Sequence, residues 1–335
     1  MRKFAVLILI VLAGAYLIVR DMQAQLHAPL RVDKPTVFEV VKGHPLDATI
    51  ADVDAHQWLP SNRTKHYLRL YVRLKPEFAA VKAGEYELTA GMNPLDLLGL
   101  FASGRVMLHE LRIVEGWRFS QAFAAVQQND VLVHTLPATA TSADIMAAIG
   151  HPELGPEGKF FPDTYAFPRG TTDVAYLKRA FAAAEKNLDE EWRNRASDLP
   201  YRTSYDALIM ASIVERETAV PDERSMIAGV FVRRLAKGMR LQTDPTVIYG
   251  LGSAFDGNLR KRDLLADAPY NTYTRAGLPP TPICLPGRAA MNAAMHPASG
   301  DALYFVARGD GSHQFSATLA EHEAAVRRFQ LGHKQ

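Results

Sequence analysis

Two carboxylates, Glu215 and Glu217, close the apolar stretch Ala207-Leu-Ile-Met-Ala-Ser-Ile-Val-Glu-Arg-Glu-Thr218. Thr203 and Asp206 stand in capping-box spacing just upstream, so a helix is predicted to begin there. At 3.6 residues per turn Met210, Ile213, Val214 and Glu217 share one face, which puts a carboxyl where an apolar side chain belongs. Glu215 falls well around the helix, beside Ala211, Ser212 and Ala219. Ionising a carboxyl in apolar surroundings is costly, so the pKa of Glu217 is expected to rise. A carboxyl still protonated near neutral pH is what general-acid catalysis needs. A capped or salt-bridged glutamate at a helix end, with Pro221 close behind, explains the same pattern. Pattern alone favours that second reading.

Few other side chains compete for chemistry. Gln242 and Tyr249 lie in Leu241-Gln-Thr-Asp-Pro-Thr-Val-Ile-Tyr-Gly250, where Asp244 is predicted as N-cap, Pro245 as first helical residue and Gly250 as C′ residue of a short helix. Both side chains are free to bond a polar ligand or water. Asn271, in Ala268-Pro-Tyr-Asn-Thr-Tyr273, offers a donor and an acceptor that suit an acetamido group, a sugar hydroxyl or a turn. With Gly277-Leu-Pro-Pro-Thr-Pro-Ile283 it makes a long proline-stiffened loop, a form that binding loops often take. In Gly158-Lys-Phe-Phe-Pro-Asp-Thr-Tyr165 the rings can stack on a sugar or fill a core, and standing alone the motif favours the core.

The single cysteine, Cys284, excludes an internal disulfide or a Cys-rich metal site and reads as structural. The histidines show no metal-ligand spacing and no phosphate-cradling glycine loop occurs, so neither metal nor cofactor is expected. A net charge of +2 over 335 residues argues against a nucleic-acid surface.

Positioning these residues takes a globular chain, and 48% hydrophobic with 22% charged residues is such a composition, long enough for two cores. Phe4 to Val19 is an unbroken apolar run, about 24 Å as a helix. Arg2 and Lys3 precede it, placing residues 1–3 in the cytoplasm and the bulk outside. The run ends in bulky residues rather than a small-residue cleavage site, which favours a signal anchor (4–19) over a cleaved signal peptide. Residues 20–35 read as a linker. Strands at 36–41, 84–89 and 106–114, with helices at 45–57, 61–74 and 94–102, predict a small α+β module over 36–114. A helical connection over 115–150 leads to a larger, mostly helical α+β domain over 151–335. Within it helices are expected at 174–192, from Pro221 to Gly238, and at 288–295, then a strand at 303–307 and a last amphipathic helix at 317–329. The fold class is α+β.

Together, Phe-Pro-Asp-Thr-Tyr (161–165), Met-Ala-Ser-Ile-Val-Glu-Arg-Glu-Thr-Ala (210–219), Arg-Leu-Gln-Thr-Asp-Pro-Thr-Val-Ile-Tyr-Gly (240–250), Tyr-Asn-Thr-Tyr (270–273) and Gly-Leu-Pro-Pro (277–280) resemble the YceG-like family, membrane-anchored endolytic murein transglycosylases of bacteria. The resemblance spans nearly the whole chain. It implies that the small module is LysM-like, that 151–335 is catalytic, and that Glu217 is the family's catalytic glutamate, with Glu215 supporting. The implied substrate is peptidoglycan, cut at the β-1,4 bond between N-acetylmuramic acid and N-acetylglucosamine to leave 1,6-anhydro ends. It further implies an enzyme in the bacterial inner membrane facing the periplasm, beside peptidoglycan synthases. Gln242, Tyr249, Asn271 and Tyr273 are then expected to line the glycan cleft. Two rivals stay open: a hydrolytic muramidase using Asp244 or Glu215 as a second carboxylate, and a non-catalytic wall-binding scaffold.

Overall fold

A computed structural model describes residues 2–331; Met1 and residues 332–335, the ends of the first and last predicted segments, lie outside the described residues. The chain divides into two compact units, Met1–His109 with Ala166–Gly170, and Glu110–Tyr165 with Thr171–Gln335. The architecture mixes thirteen α-helices with small sheets among the described residues.

The first unit opens with α1 (Arg2–His27), whose apolar residues 4–19 are largely exposed and which is long and apolar enough to cross a membrane. Its last two turns differ from the predicted linker. Asp21 accepts from the Tyr67 hydroxyl at 2.6 Å and pairs with Arg63 at 3.0 Å, while Leu26, Leu30 and Val32 are buried in the unit's core. These contacts hold the stretch against the unit's core.

Strand β1 (Thr36–Val40) pairs antiparallel with β2 (Gly84–Leu88), Thr36 opposite Leu88 and Val40 opposite Gly84. Between them run α2 (Leu46–Ala55) and α3 (Thr64–Leu74), and α4 (Pro94–Ser103) follows behind an Asn93–Asp96 capping box. All of these match their predicted segments to within three residues. Glu85, 8% exposed, accepts from His109 Nε2 and from Arg169 Nε, each at 2.5 Å, and so ties the short 166–170 excursion into this unit.

Strand β3 (His109–Arg112) is half the predicted length. Helices α5 (Phe119–Gln128) and α6 (Ser142–Ile149), strand β4 (Thr164–Phe167) and α7 (Asp173–Arg193) come next. Asp173 is fully buried at the start of α7, where it accepts from the backbone N–H groups of Thr135 and Leu136 at 3.0 and 2.9 Å. Phe160 sits 4.7 Å from Phe119 and 5.8 Å from Phe181, ring centre to ring centre, so the aromatic motif fills a core rather than a sugar site.

At the centre of the second unit is α8 (Ser204–Glu217), started by the predicted Thr203–Asp206 capping box. Ala207 through Val214 are all buried, apolar all round except for Ser212, whose hydroxyl is bonded to Ile209 and Ile283. Around it pack α9 (Arg224–Ala236), α10 (Asp244–Leu251) and α12 (Arg288–Met295), with the short α11 (Lys261–Leu265) in the connection before α12. Cys284 is buried with its Sγ 3.3 Å from the Ser212 carbonyl, a packing role. Strand β5 (Tyr304–Ala307) pairs antiparallel with β6 (His313–Ser316), which sequence reading missed, through a turn carrying Gly309 and Gly311 at positive φ. The chain's last described helix is α13 (Leu319–Val326), followed by one π-helical turn.

A candidate active site at the end of the central helix

Buried helix α8 delivers Glu217 as its last residue. The side chain is half-buried, and the loss of solvent around its carboxyl pushes the pKa up to about 7; neighbouring Asp244 pushes the same way. An anion here would also meet the unfavourable end of the helix dipole. The Thr243 hydroxyl donates to Glu217 Oε1 and works against the rise.

Thr243 is itself fixed from behind. Its N–H donates to Thr272 Oγ1 at 3.1 Å, and its carbonyl accepts from Thr246 Oγ1 at 2.8 Å. The Thr246 and Thr272 hydroxyls lie 2.9 Å apart, and all three threonines are buried. This hydroxyl cluster corrects the predicted cap. The N-cap position of α10 belongs to Thr243, not Asp244, and its hydroxyl is committed to Glu217 rather than to the helix. Asp244 is the first helical residue and accepts from the Tyr273 hydroxyl at 2.6 Å. The helix runs on to Leu251, so Gly250 lies inside it, where a Cβ would come within 3.0 Å of Tyr270.

Glu217 opens on two concavities. One, of about 420 Å³, is lined by Gln242, Thr243, Asp244, Tyr273, Arg234 and His313 among others. The other, about 450 Å³, is lined by Arg112, Glu115, Glu215, Arg216, Thr218 and Arg224. Gln242 holds φ 52°, a left-handed conformation costing a non-glycine residue on the order of 1 kcal/mol, right at the rim of the first. Arg234 is buried and donates to the Leu303 and Leu241 carbonyls at 2.6 and 2.8 Å, so it braces that wall. Glu223 holds His313 by accepting from its backbone N–H at 2.8 Å and pairing with its Nδ1 at 2.6 Å.

Of the side chains expected to line a cleft, Gln242 and Tyr273 are brought together with Glu217 and two are not. Asn271 is only 2% exposed, with Nδ2 donating to the carbonyls of Asp263, Leu264 and Ala266 and Oδ1 accepting from Tyr273 N–H. It clamps a loop and has nothing left for a sugar. Asn271→Ala is expected to cost roughly 2 kcal/mol of stability by stranding those backbone groups, read as a lower denaturation midpoint. Tyr249 lies at a separate cavity, its hydroxyl donating to Glu157 at 3.0 Å. Glu215 accepts from Gly287 N–H at 2.9 Å, and burial, with Glu115 beside it, raises its pKa. The Thr218 hydroxyl accepts from Val220 N–H at 3.0 Å, a helix-end role. Thr243, Arg234 and His313 were not singled out from sequence; only the Thr-Asp-Pro order, which allows either residue as N-cap, pointed to Thr243.

The sequence model of the YceG-like family matches residues 38–328. The endolytic murein transglycosylase of Bacillus subtilis (strain 168) is 30% identical over 346 residues, 96% of this chain and 91% of that protein. The protein of the same name from Streptococcus pneumoniae serotype 2 (strain D39) is 27% identical over 341 residues; the match takes in 91% of this chain but 60% of that protein's length. A crystal structure of a YceG-like protein from Listeria monocytogenes is 30% identical with a TM-score of 0.52, covering 88% of this chain and 99% of that one. The chain belongs to the YceG-like family.

Proposed function

We propose that this chain is an endolytic lytic transglycosylase of peptidoglycan and that Glu217 serves as its acid and then its base. The observation that carries the reading is the Glu217 carboxyl, held by Thr243 between two concavities with a pKa near 7. Protonated Glu217 gives its proton to the glycosidic oxygen as the bond to the anomeric carbon of N-acetylmuramic acid breaks. The sugar's 2-acetamido carbonyl steadies the positive charge left there, as in substrate-assisted glycosidases. The carboxylate then takes the proton of the 6-hydroxyl, whose oxygen closes onto the anomeric carbon as a 1,6-anhydro ring. Glu217 ends protonated and no water is consumed. A group with pKa near the working pH suits both transfers.

Gln242 and Tyr273, which line the same concavity, meet the glycan beside Glu217 in this reading. In this reading α1 anchors the enzyme in the inner membrane with its folded units in the periplasm, where nascent strands and their synthases lie. The small unit, with its strand–helix–helix–strand order, serves as the LysM-like module. The names of the Bacillus and Streptococcus relatives support the reaction and the substrate.

A muramidase remains the second reading because Asp244 lines the same concavity as Glu217. Mass spectrometry of digested, uncrosslinked glycan strands separates the two. Anhydro ends are expected; new reducing ends, about 18 Da heavier, would replace this proposal with hydrolysis.

A further inference from the structure

At the other end of α8 lies a cavity of about 630 Å³ that the mechanism does not use. Tyr205, in the helix's first turn, lines it, together with Arg118, Phe119, Glu157, Tyr249 and Tyr270. Its polar groups are built in. Glu157 accepts from Phe119 N–H at 2.9 Å through one oxygen and from the Tyr249 hydroxyl at 3.0 Å through the other. The Arg118 guanidinium lies 5.0 Å over the Tyr249 ring and donates to the Ile248 carbonyl at 3.1 Å. Tyr249 and Tyr270 stand 5.0 Å apart at 60°, and the Tyr270 hydroxyl is 2.9 Å from Thr281 Oγ1.

A ligand here meets aromatic faces, hydroxyls and one charged group of each sign. An anion would face Glu157 and a cation would face Arg118, so neither has an advantage. A neutral polyol with an apolar ring face can stack on the rings and share the remaining donors and lone pairs of these groups without burying a like charge. Such mixed apolar and polar lining at this volume is usual for small-ligand sites.

Shared lining residues link the cavity, through one further concavity, to the Glu217 site. Arg118, Ser120 and Tyr249 line the neighbouring concavity together with Arg216, and Arg216 lines the one that Glu217 opens on. Tyr205 and Glu217 lie twelve residues apart on one helix, about 18 Å along its axis.

We propose that the cavity framed by Arg118, Glu157, Tyr249 and Tyr270 is a distal sugar-binding site for the strand being cut. The inference rests on the transglycosylase reading. It deepens that reading by making productive binding depend on how far the strand extends beyond the cleaved bond. Cuts near the end on this side are disfavoured because the distal site stays empty.

The test uses the full chain in detergent with uncrosslinked glycan strands of two classes, long ones and oligosaccharides too short to span the groove. Ser120→Trp, at an exposed position on α5, fills the cavity mouth, and Tyr249→Phe removes the bond to Glu157. Ser120→Trp is expected to lower the preference in kcat/KM for long over short strands about tenfold, the weight of one good ring contact, mostly through KM. Tyr249→Phe should shift it the same way by less. An unchanged preference in Ser120→Trp overturns the proposal. Failure of the parent reading is seen separately, as wild-type chain that forms no anhydro ends. The distal site is then judged by binding long strands to Glu217→Gln chain with and without Ser120→Trp, where weaker binding supports it and equal binding overturns it.

Discussion

Glu217→Gln is expected to abolish the formation of anhydro ends while making the folded chain more resistant to denaturation above neutral pH. The substitution keeps shape and hydrogen-bonding capacity and removes the transferable proton. Losing a positioned acid that also acts as base should lower turnover by roughly a hundred- to ten-thousandfold. The stability effect has the opposite sign. Folding raises the Glu217 pKa from an ordinary 4.5 to about 7, so the folded state binds the proton more tightly than the unfolded chain does. Below pH 4.5 both states are protonated and the group contributes nothing. As pH climbs towards 7 the unfolded chain is deprotonated first and wild-type stability falls. The deficit above pH 7 is at most roughly 3 kcal/mol, and glutamine does not carry it. Denaturant midpoints at pH 5 and pH 8 check this: the variant's advantage should grow with pH while its activity is lost at both. Full activity in Glu217→Gln would remove the acid assignment, and a pH-independent midpoint difference would remove the buried-carboxyl argument.

That Glu217, once ionised, destabilises its own fold is why it was visible in the sequence at all. A glutamate closing an otherwise apolar helix breaks the local rule, and such breaks concentrate where function outweighs stability. The helix itself was equally legible, because Thr203 and Asp206 announce its start and a run interrupted only by Ser212 in eight residues has only the interior to go to. Periodicity said less than it promised, since Ala207–Val214 are buried all round and no single face marks Glu217. What stayed hidden was set by which groups the folded backbone brings together. Asn271 has the right chemistry for a sugar, but the carbonyls of Asp263, Leu264 and Ala266, five to eight residues back, claim its amide. The rule that favours aspartate as N-cap selected Asp244; it could not register that Glu217, twenty-six residues away, takes the Thr243 hydroxyl. Strand β6 has no signal of its own, because a four-residue strand is defined by its partner β5. Leu26, Leu30 and Val32 looked like linker for the same reason: their partners lie in α3, α4 and the small sheet.

Thr243→Val and Asp244→Asn are expected to move the pH dependence of the enzyme in opposite directions. With Glu217 as the proposed acid, kcat/KM of the free enzyme follows the fraction of Glu217 that is protonated, so it should be level in mild acid and fall as pH rises through about 7. The Thr243 hydroxyl bonds the ionised carboxylate and lowers its pKa; without it the alkaline limb shifts to higher pH. Asp244 repels the carboxylate and raises its pKa; with that charge removed the limb shifts to lower pH. Valine matches threonine in shape, and Thr246 and Thr272 still hold each other, so the backbone behind the site keeps its anchor. The carboxyl loses the group that aims it, however. A proton donor turned away from the glycosidic oxygen should cost about a hundredfold in kcat/KM even in mild acid, where Glu217 is protonated in every variant. Profiles of the three chains on one glycan substrate decide the matter. A purely structural Thr243 would change the amplitude and leave the midpoint in place. A common shift in both variants would mean that a group other than Glu217 sets the alkaline limb, because no single rearrangement of the cavity removes a stabilising donor and a repelling charge with the same effect on one carboxyl.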